Sequence, residues 1–443
     1  MTTSNENVSY QREIPVRHAV DVLVAGGGPA GIAAALAAAR QGRSVHLIEA
    51  HSCFGGMGTA GLVPVFMQFT DGVNFLAGGV GKEVLDALRA ANGTVPPDGY
   101  GIRAETLKRV YDDLITASAI GFTFHTKLVD VTLRDGTVNE AICAGKKELF
   151  AIRAKVFIDC TGDGDLAVFA GADYVKGDDT GHMMPGTLCS LWADVDWEAV
   201  RASGLGTGNK RIEDAFRDGV FTHEDRHLPG MWRVGEHVGG GNIGHTFGVD
   251  GTDEESLTEA YIWGRKSMLE YERYYKEYLK GFENMELVST GSLLGVRETR
   301  RIAGDYELNL DDFTSRAVFH DEIGRYSYPV DIHIARPDKQ SYDNFRKEMA
   351  TYRLGKGESY GIPYRILTPK GLKNVLVAGR CVSTDRQLQA SIRVMPGCYI
   401  TGQATGVAAA LMVEGATDSR GIAVNELQRR LVDMGGYLPN YGK

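Results

Sequence analysis

Residues 26–31, Gly26-Gly27-Gly28-Pro29-Ala30-Gly31, follow an apolar run and open a stretch of small residues. At that spacing each glycine has its own task. Gly26 permits a tight turn, Gly28 lets a pyrophosphate approach bare backbone, and Gly31 lets a helix pack closely on a strand. The phosphates would then sit over a helix N-terminus whose first turn holds Pro29 and Ala30. Glu49, followed by Ala50, ends the next apolar run, where a carboxylate can accept hydrogen bonds from a ribose diol. This set of residues could bind a dinucleotide. Gly239-Gly240-Gly241-Asn242-Ile243-Gly244 repeats the spacing but precedes no helical pattern, so a loop is expected there.

A second group could handle protons and anions. In Tyr328-Pro329-Val330-Asp331-Ile332-His333 an extended chain places Asp331 and His333 on one face. A neighbouring carboxylate would raise the imidazole pKa and fix its tautomer, as a general base requires. Arg297, Arg300 and Arg301 could clamp a carboxylate through planar forks, and Arg393 stands just before a predicted helix. Each arginine could equally serve a structural ion pair, and His333 could be a satisfied core histidine. Asn242 and His245 form a further polar pair, and Tyr364 is one more candidate. His223-Glu224-Asp225-Arg226-His227 spells the HExxH zinc pattern, which requires both histidines on one face of a sustained helix. Pro229-Gly230 follows at once, so the segment is expected to be a solvated loop. No metal site is expected.

The elements that must position these groups alternate in period. A strand over 19–25, a helix over 29–41 and a strand over 44–49 make a βαβ unit. An amphipathic helix is predicted over 103–118, then alternating strands through about 157 with a turn at Asp135-Gly136. From 176 to 365 the pattern changes to polar loops and one long helix near 256–282. A buried-strand pattern returns at 374–379, followed by an apolar helix over 397–413. Leaving a parallel-sheet pattern and returning to it predicts a discontinuous domain, 1–175 with 366–443, and a second domain inserted at 176–365.

Composition narrows the function classes. The 443 residues are 43% hydrophobic and 24% charged, which excludes a disordered, collagenous or coiled-coil chain. The net charge of −9 argues against a protein that works by neutralising nucleic-acid phosphates. The six cysteines are scattered and form no CxxC, so neither a disulfide framework nor a redox pair is expected. The polar N-terminal stretch is unlike a signal peptide, and the uncharged run 22–39 is broken by Gly26–Pro29. A soluble cytoplasmic protein without a membrane span is therefore expected.

Further segments complete a pattern: Gly55-Gly56-Met57-Gly58-Thr59, Thr161-Gly162-Asp163, Arg297-Glu298-Thr299-Arg300-Arg301, Gly379-Arg380 and 393–406. With the N-terminal unit, they resemble the FAD-dependent oxidoreductase family of the two-dinucleotide-binding-domain flavoproteins, from about residue 18 to 415. A more distant likeness is to fumarate-reductase-type flavoproteins. The resemblance implies a Rossmann-like FAD domain of glutathione-reductase type with an inserted α+β substrate domain. It places the pyrophosphate on Gly26–Gly31, the ribose on Glu49 and adenine near Leu128. Gly56, Met57, Gly58 and Thr59 would lie along the cofactor, and Thr161, Gly162 and Asp163 would line its ADP part. Gly379 and Arg380 would approach the ribityl chain and phosphates. The helix carrying Met395 and Gly402 would point its N-terminus at the flavin, where reduction places negative charge. The expected reaction is hydride transfer between flavin N5 and a small polar substrate, a hydroxy acid or sugar-like alcohol. The alternatives are reduction of an activated C=C bond with an arginine as proton donor, and a non-catalytic FAD subunit. The electron partner, the covalent or non-covalent state of FAD and the oligomeric state stay open.

Overall fold

The computed structural model of the chain describes residues 7–442. Strand β1 (Val16–Ala25) enters the core as Val22, Leu23 and Val24 become fully buried. Helix α1 (Pro29–Arg40) and strand β2 (Val45–Ile48) follow and close the βαβ unit. Helix α2 (Val80–Ala90) and helix α3 (Ala104–Thr116) each bury one apolar face, α3 through Leu107, Val110, Tyr111 and Ile115. The short β3 (Gly121–Thr123) precedes the hairpin β4 (Lys127–Arg134) and β5 (Thr137–Ala144). Both Asp135 and Gly136 have positive φ, as a two-residue hairpin turn demands.

The long strand β6 (Leu149–Asp159) organises the sheet. One edge runs parallel to β1 along its whole length. The other is shared: its first half pairs antiparallel with β5, and its last residues, Phe157–Asp159, pair parallel with a strand much later in the chain. The order is β3-β2-β1-β6-β5-β4, with that late strand also on β6, so the architecture is mixed α/β with a parallel sheet.

Between these visits lies a second, antiparallel sheet. It comprises β7 (Ser190–Ala193), β8 (Gly230–Arg233), β9 (Gly239–Asn242) and β10 (Glu286–Thr290), in the order β8-β9-β7-β10. Helix α4 (Glu254–Tyr278) begins at an Asp253 cap and packs Met268, Tyr271, Tyr274 and Tyr275 into a separate apolar cluster with Trp192, Ile243 and Met285. Residues 239–242 are thus a central strand and correct the expectation of a loop. Glycine is required there by crowding: a Cβ on Gly239 would lie 2.3 Å from the Met231 sulfur, and one on Gly240 2.4 Å from Cβ of Pro64. Residues from Ile302 to Tyr364 contribute instead to the core around the first sheet. Helix α5 (Lys339–Thr351), started by an Asp338 cap, buries none of its residues fully.

The returning strand β11 (Val375–Val377) is the late partner of β6. Helix α6 (Arg386–Ile392) and helix α7 (Met395–Gly415) follow, and α7 is buried from Met395 to Met412. It lies on the alanine-rich α1, whose residues Ala30–Ala38 are all buried. Among the described residues, no helix is long and apolar enough to cross a membrane.

Candidate functional site

Registers across the parallel strands bring Ala25, Ile48, Asp159 and Val377 side by side, so four loops leave one edge of the sheet together. Gly26 turns the first loop at φ +101°, and a Cβ there would lie 2.4 Å from the Cys160 carbonyl oxygen. A Cβ on Gly31 would lie 1.8 Å from the Gly26 carbonyl oxygen, which is the close helix–loop approach that the motif anticipates. A Cβ on Gly28, by contrast, would meet nothing within 4 Å. That open side of Gly28 adjoins the α1 N-terminus, which has no side-chain cap. Glu49 is buried and held in place by backbone donors: Gly27 N–H to Oε2 at 2.7 Å and His51 N–H to Oε1 at 2.8 Å.

The second glycine segment crosses beside this edge. A Cβ on Gly56 would stand 3.4 Å from the Gly28 Cα, and one on Gly58 2.9 Å from the Met395 sulfur. Residues 56–58 therefore link the N-termini of α1 and α7, and Thr59 fastens the segment by donating to the Phe54 carbonyl at 2.6 Å. The α7 N-terminus also lacks a side-chain cap. Thr161 donates to the Asp159 carboxyl through both N–H and hydroxyl, while burial pushes Asp159 up to about 6. Arg380 is tied to the protein, at 3.1 Å from the Gly162 carbonyl, 2.7 Å from the Val296 carbonyl and 2.6 Å from the Asp163 carboxylate. Thr299 donates to that same Asp163 oxygen. Leu128 is buried in β4, two residues after Thr126, whose N–H donates to the Glu49 carbonyl. Two uncapped helix N-termini, an open glycine face and a pre-set carboxylate fit an elongated dinucleotide cofactor.

A polar cluster lies beside the α6–α7 junction. His245 Nε2 and His333 Nδ1 are 2.9 Å apart and buried. His245 Nδ1 stands 2.9 Å from Asp225 Oδ2, but out of line for a hydrogen bond. His333 Nε2 is 3.5 Å from Asp331 Oδ2, which also accepts from the Tyr328 hydroxyl. Arg393 donates to the Asp331 carbonyl at 3.1 Å and stands 3.7 Å from its carboxylate. The His227 ring is stacked between His333 and Phe345 of α5, with centroids 4.1 Å from each. Burial, reinforced by Arg297, His245 and Arg393, pulls His333 well below the usual imidazole value. The Asp331 carboxylate does not raise it as expected, because desolvation and three neighbouring cationic or ionisable groups prevail.

Arg297 donates to the Pro185 carbonyl at 2.7 Å, to Thr187 Oγ1 at 2.9 Å and to Asn242 Oδ1 at 3.2 Å. Among the described residues, no carboxylate lies within 4.0 Å of this buried guanidinium. Burial lowers it to about 10, so it remains a cation at neutral pH.

His333, Asp331, His245, Asn242, Arg297 and Arg393 thus converge. Arg300 does not join them through its hydrogen bonds, which run to the Asp165 carboxylate and the Asp163 carbonyl. Arg301 pairs with Glu298. Tyr364 lies in the core of the first sheet and donates to the Ser419 carbonyl. The HExxH segment is non-helical, as zinc-protease geometry would forbid, but it is not a solvated loop: Asp225 and Arg226 are buried, and only His223 and Glu224 are exposed. Asp225 and His227 enter the cluster because His245, His333 and Phe345 pack against them. Their acid-and-imidazole composition was the available signal, although the spacing suggested a different geometry.

A mixed α/β sheet with glycine loops at its parallel strand ends, next to a buried carboxylate–imidazole cluster, is an arrangement suited to a dinucleotide-binding enzyme. The chain belongs to the FAD dependent oxidoreductase family, whose sequence profile matches residues 21–431, and FAD is its cofactor. No curated protein matches the chain. Solved structures similar to it include a geranylgeranyl bacteriochlorophyll reductase-like protein from Thermoplasma acidophilum, at 13% identity and a TM-score of 0.47, covering 94% of this chain and 82% of that one. Another is p-nitrophenol 4-monooxygenase from Pseudomonas putida, at 13% identity and TM-score 0.46, covering 94% and 84%. A myxobacterial FAD-dependent chondrochloren halogenase is 12% identical, with TM-score 0.44 and coverage of 94% and 78%.

Proposed function

We propose that the protein transfers a hydride between FAD and a small substrate that carries an anionic group, such as a hydroxy acid. The observation that carries this reading is Arg297, a buried guanidinium without a carboxylate partner among the described residues. A cation held out of water in this way stabilises an anion brought to it. Beside it, the imidazoles of His245 and His333 receive the proton of the substrate hydroxyl as the C–H hydride leaves. When bound, FAD supplies the two-electron acceptor at N5. On this reading Gly26, Gly28, Pro29, Ala30 and Gly31 hold the pyrophosphate, Glu49 holds the ribose, and the α7 N-terminus faces the flavin pyrimidine edge. Residues 1–175 and 366–443 form an FAD domain of glutathione-reductase type, and 176–365 form the substrate domain.

The test is an anaerobic bleaching screen with small hydroxy acids and sugars, followed at the flavin absorbance bands. A hydroxy acid should bleach the wild type quickly and Arg297→Met slowly. Bleaching by neutral sugars alone would sink the anion reading. A second reading has its own support: Arg297, lowered to about 10, is a better acid than an ordinary arginine and could protonate a substrate carbon. Chemically reduced enzyme that is reoxidised by an unsaturated carboxylate, with no bleaching by any hydroxy acid, would favour that C=C reductase.

A further inference from the structure

His227, His245 and His333 come from three separate segments, yet one ring nitrogen of each lies within 4.8 Å of the others. Two of the three carry a carboxylate behind the ring, at 2.9 Å for His245 and 3.5 Å for His333, close enough to align as a hydrogen bond once the inner nitrogen is a ligand. His245 presents Nδ1 to Asp225 and Nε2 inward, whereas His333 presents Nε2 to Asp331 and Nδ1 inward. Carboxylates behind ligating imidazoles fix the tautomer that leaves the inner nitrogen as a lone pair. Two such lone pairs 2.9 Å apart repel unless a proton or a metal cation lies between them. Two metal–nitrogen bonds of about 2.05 Å at a right angle would span about 2.9 Å. The third histidine supplies an independent sign, because His227 Nδ1 is buried without a hydrogen-bond partner among the described residues.

We propose that His227, His245 and His333 bind one divalent transition-metal ion, the His227 ring turning out of its stack on His333 to reach it, with Asp225 and Asp331 orienting the other two ligands. Three imidazoles without thiolate favour zinc, iron(II) or cobalt(II) over magnesium or calcium. Three protein ligands leave a coordination position for an oxygen of water or substrate. Arg297 and Arg393 adjoin the cluster and favour an anionic oxygen there. This deepens the hydroxy-acid reading and rests on it for the occupant of the open position. A substrate hydroxyl bound there would pass its proton to solvent water as its C–H hydride goes to flavin N5, and in this deeper reading the histidines would act as ligands in place of the base.

The test uses the FAD-loaded protein, stripped with a chelator and titrated separately with Zn²⁺ and Co²⁺. Metal is counted by plasma mass spectrometry, with flavin absorbance reporting that the holoprotein is intact. The expected result is one ion per chain, with Co²⁺ giving visible bands at wavelengths beyond the flavin absorption. Asp225→Asn should bind about 10–100-fold more weakly at unchanged FAD content. His245→Gln should lose the ion. If His245→Gln fails to fold, the wild-type titration still decides. Intact wild-type holoprotein that takes up neither ion at micromolar concentration would overturn the site and leave a shared proton between His245 and His333. Stoichiometric metal without bleaching by any hydroxy acid would keep the metal site and refute the substrate reading instead.

Discussion

Gly402 of α7 and Ala30 of α1 pass so closely that a Cβ on Gly402 would lie 2.1 Å from the Ala30 carbonyl oxygen. One turn further, a Cβ on Gly406 would lie 2.3 Å from the carbonyl of Ala34. The two helices pack backbone to backbone, and the glycine loops proposed to hold FAD stand where both begin. Gly402→Ala should therefore cost about 1–3 kcal/mol of stability by overpacking. It should also lower FAD occupancy, because the α1 N-terminus must move. A urea titration and the flavin-to-protein absorbance ratio measure the two effects. An unshifted unfolding midpoint would show that the contact relaxes freely.

Glu49 is aligned by two backbone donors, and its carboxylate is the group proposed to meet the ribose. Glu49→Gln keeps the shape and removes the charge. Losing a charged hydrogen bond worth about 1.5–3 kcal/mol should weaken FAD about 10–150-fold. Fluorescence quenching on titration of the apoprotein with FAD reads this directly, and an unchanged dissociation constant would move the ribose elsewhere.

Arg297→Met should leave FAD content unchanged while slowing bleaching by a hydroxy acid about 10–150-fold at low substrate concentration. Lysine should not rescue it, since the fork bonds Pro185, Thr187 and Asn242 from fixed directions. Stopped-flow reduction kinetics across substrate concentration would separate weaker binding from slower transfer.

His46 provides the pH prediction. Burial, aided by the His18 ring stacked on it at 4.0 Å, pulls His46 from 6.5 down to about 4. The unfolded chain takes up a proton near pH 6.5 that the folded chain refuses until about pH 4. Stability is therefore full above pH 6.5 and declines as the pH falls through that interval, by about 3 kcal/mol. Chemical unfolding at several pH values should show this decline in the wild type and a flatter profile in His46→Gln. Equal slopes would place the acid sensitivity on other groups.

The βαβ unit and the hairpin turn were readable because local chemistry alone dictates them. Gly26, Gly31 and Asp135-Gly136 each answer a backbone demand within a few residues. The neighbouring positions of Asp331 and His333 were readable for the same reason, since an extended chain repeats every second residue. The strand at 239–242 was hidden because three glycines carry no β preference; Met231 and Pro64, which exclude side chains there, are distant in sequence or in another element. Asp225 and His227 were obscured by a motif spacing that suggests a helix, whereas their setting is made by His245, His333 and Phe345, all from other segments. The pKa direction of His333 could not be read either. Asp331 is adjacent in sequence, but Arg297 and Arg393 reach the ring only through tertiary packing.

The divided edge of β6 also bears on how the chain is made. Its first half is satisfied early by β5, within the same stretch of sequence, while Phe157–Asp159 wait for Val375–Val377. During synthesis the ribosome must therefore add more than two hundred residues before the cradle edge of the sheet is covered. Throughout that interval a short apolar strand edge stays unpaired, open to wrong partners or to a chaperone. Cofactor capture is correspondingly late, since α7 emerges only after β11, and a chain arrested at residue 370 should neither retain FAD nor stay dispersed.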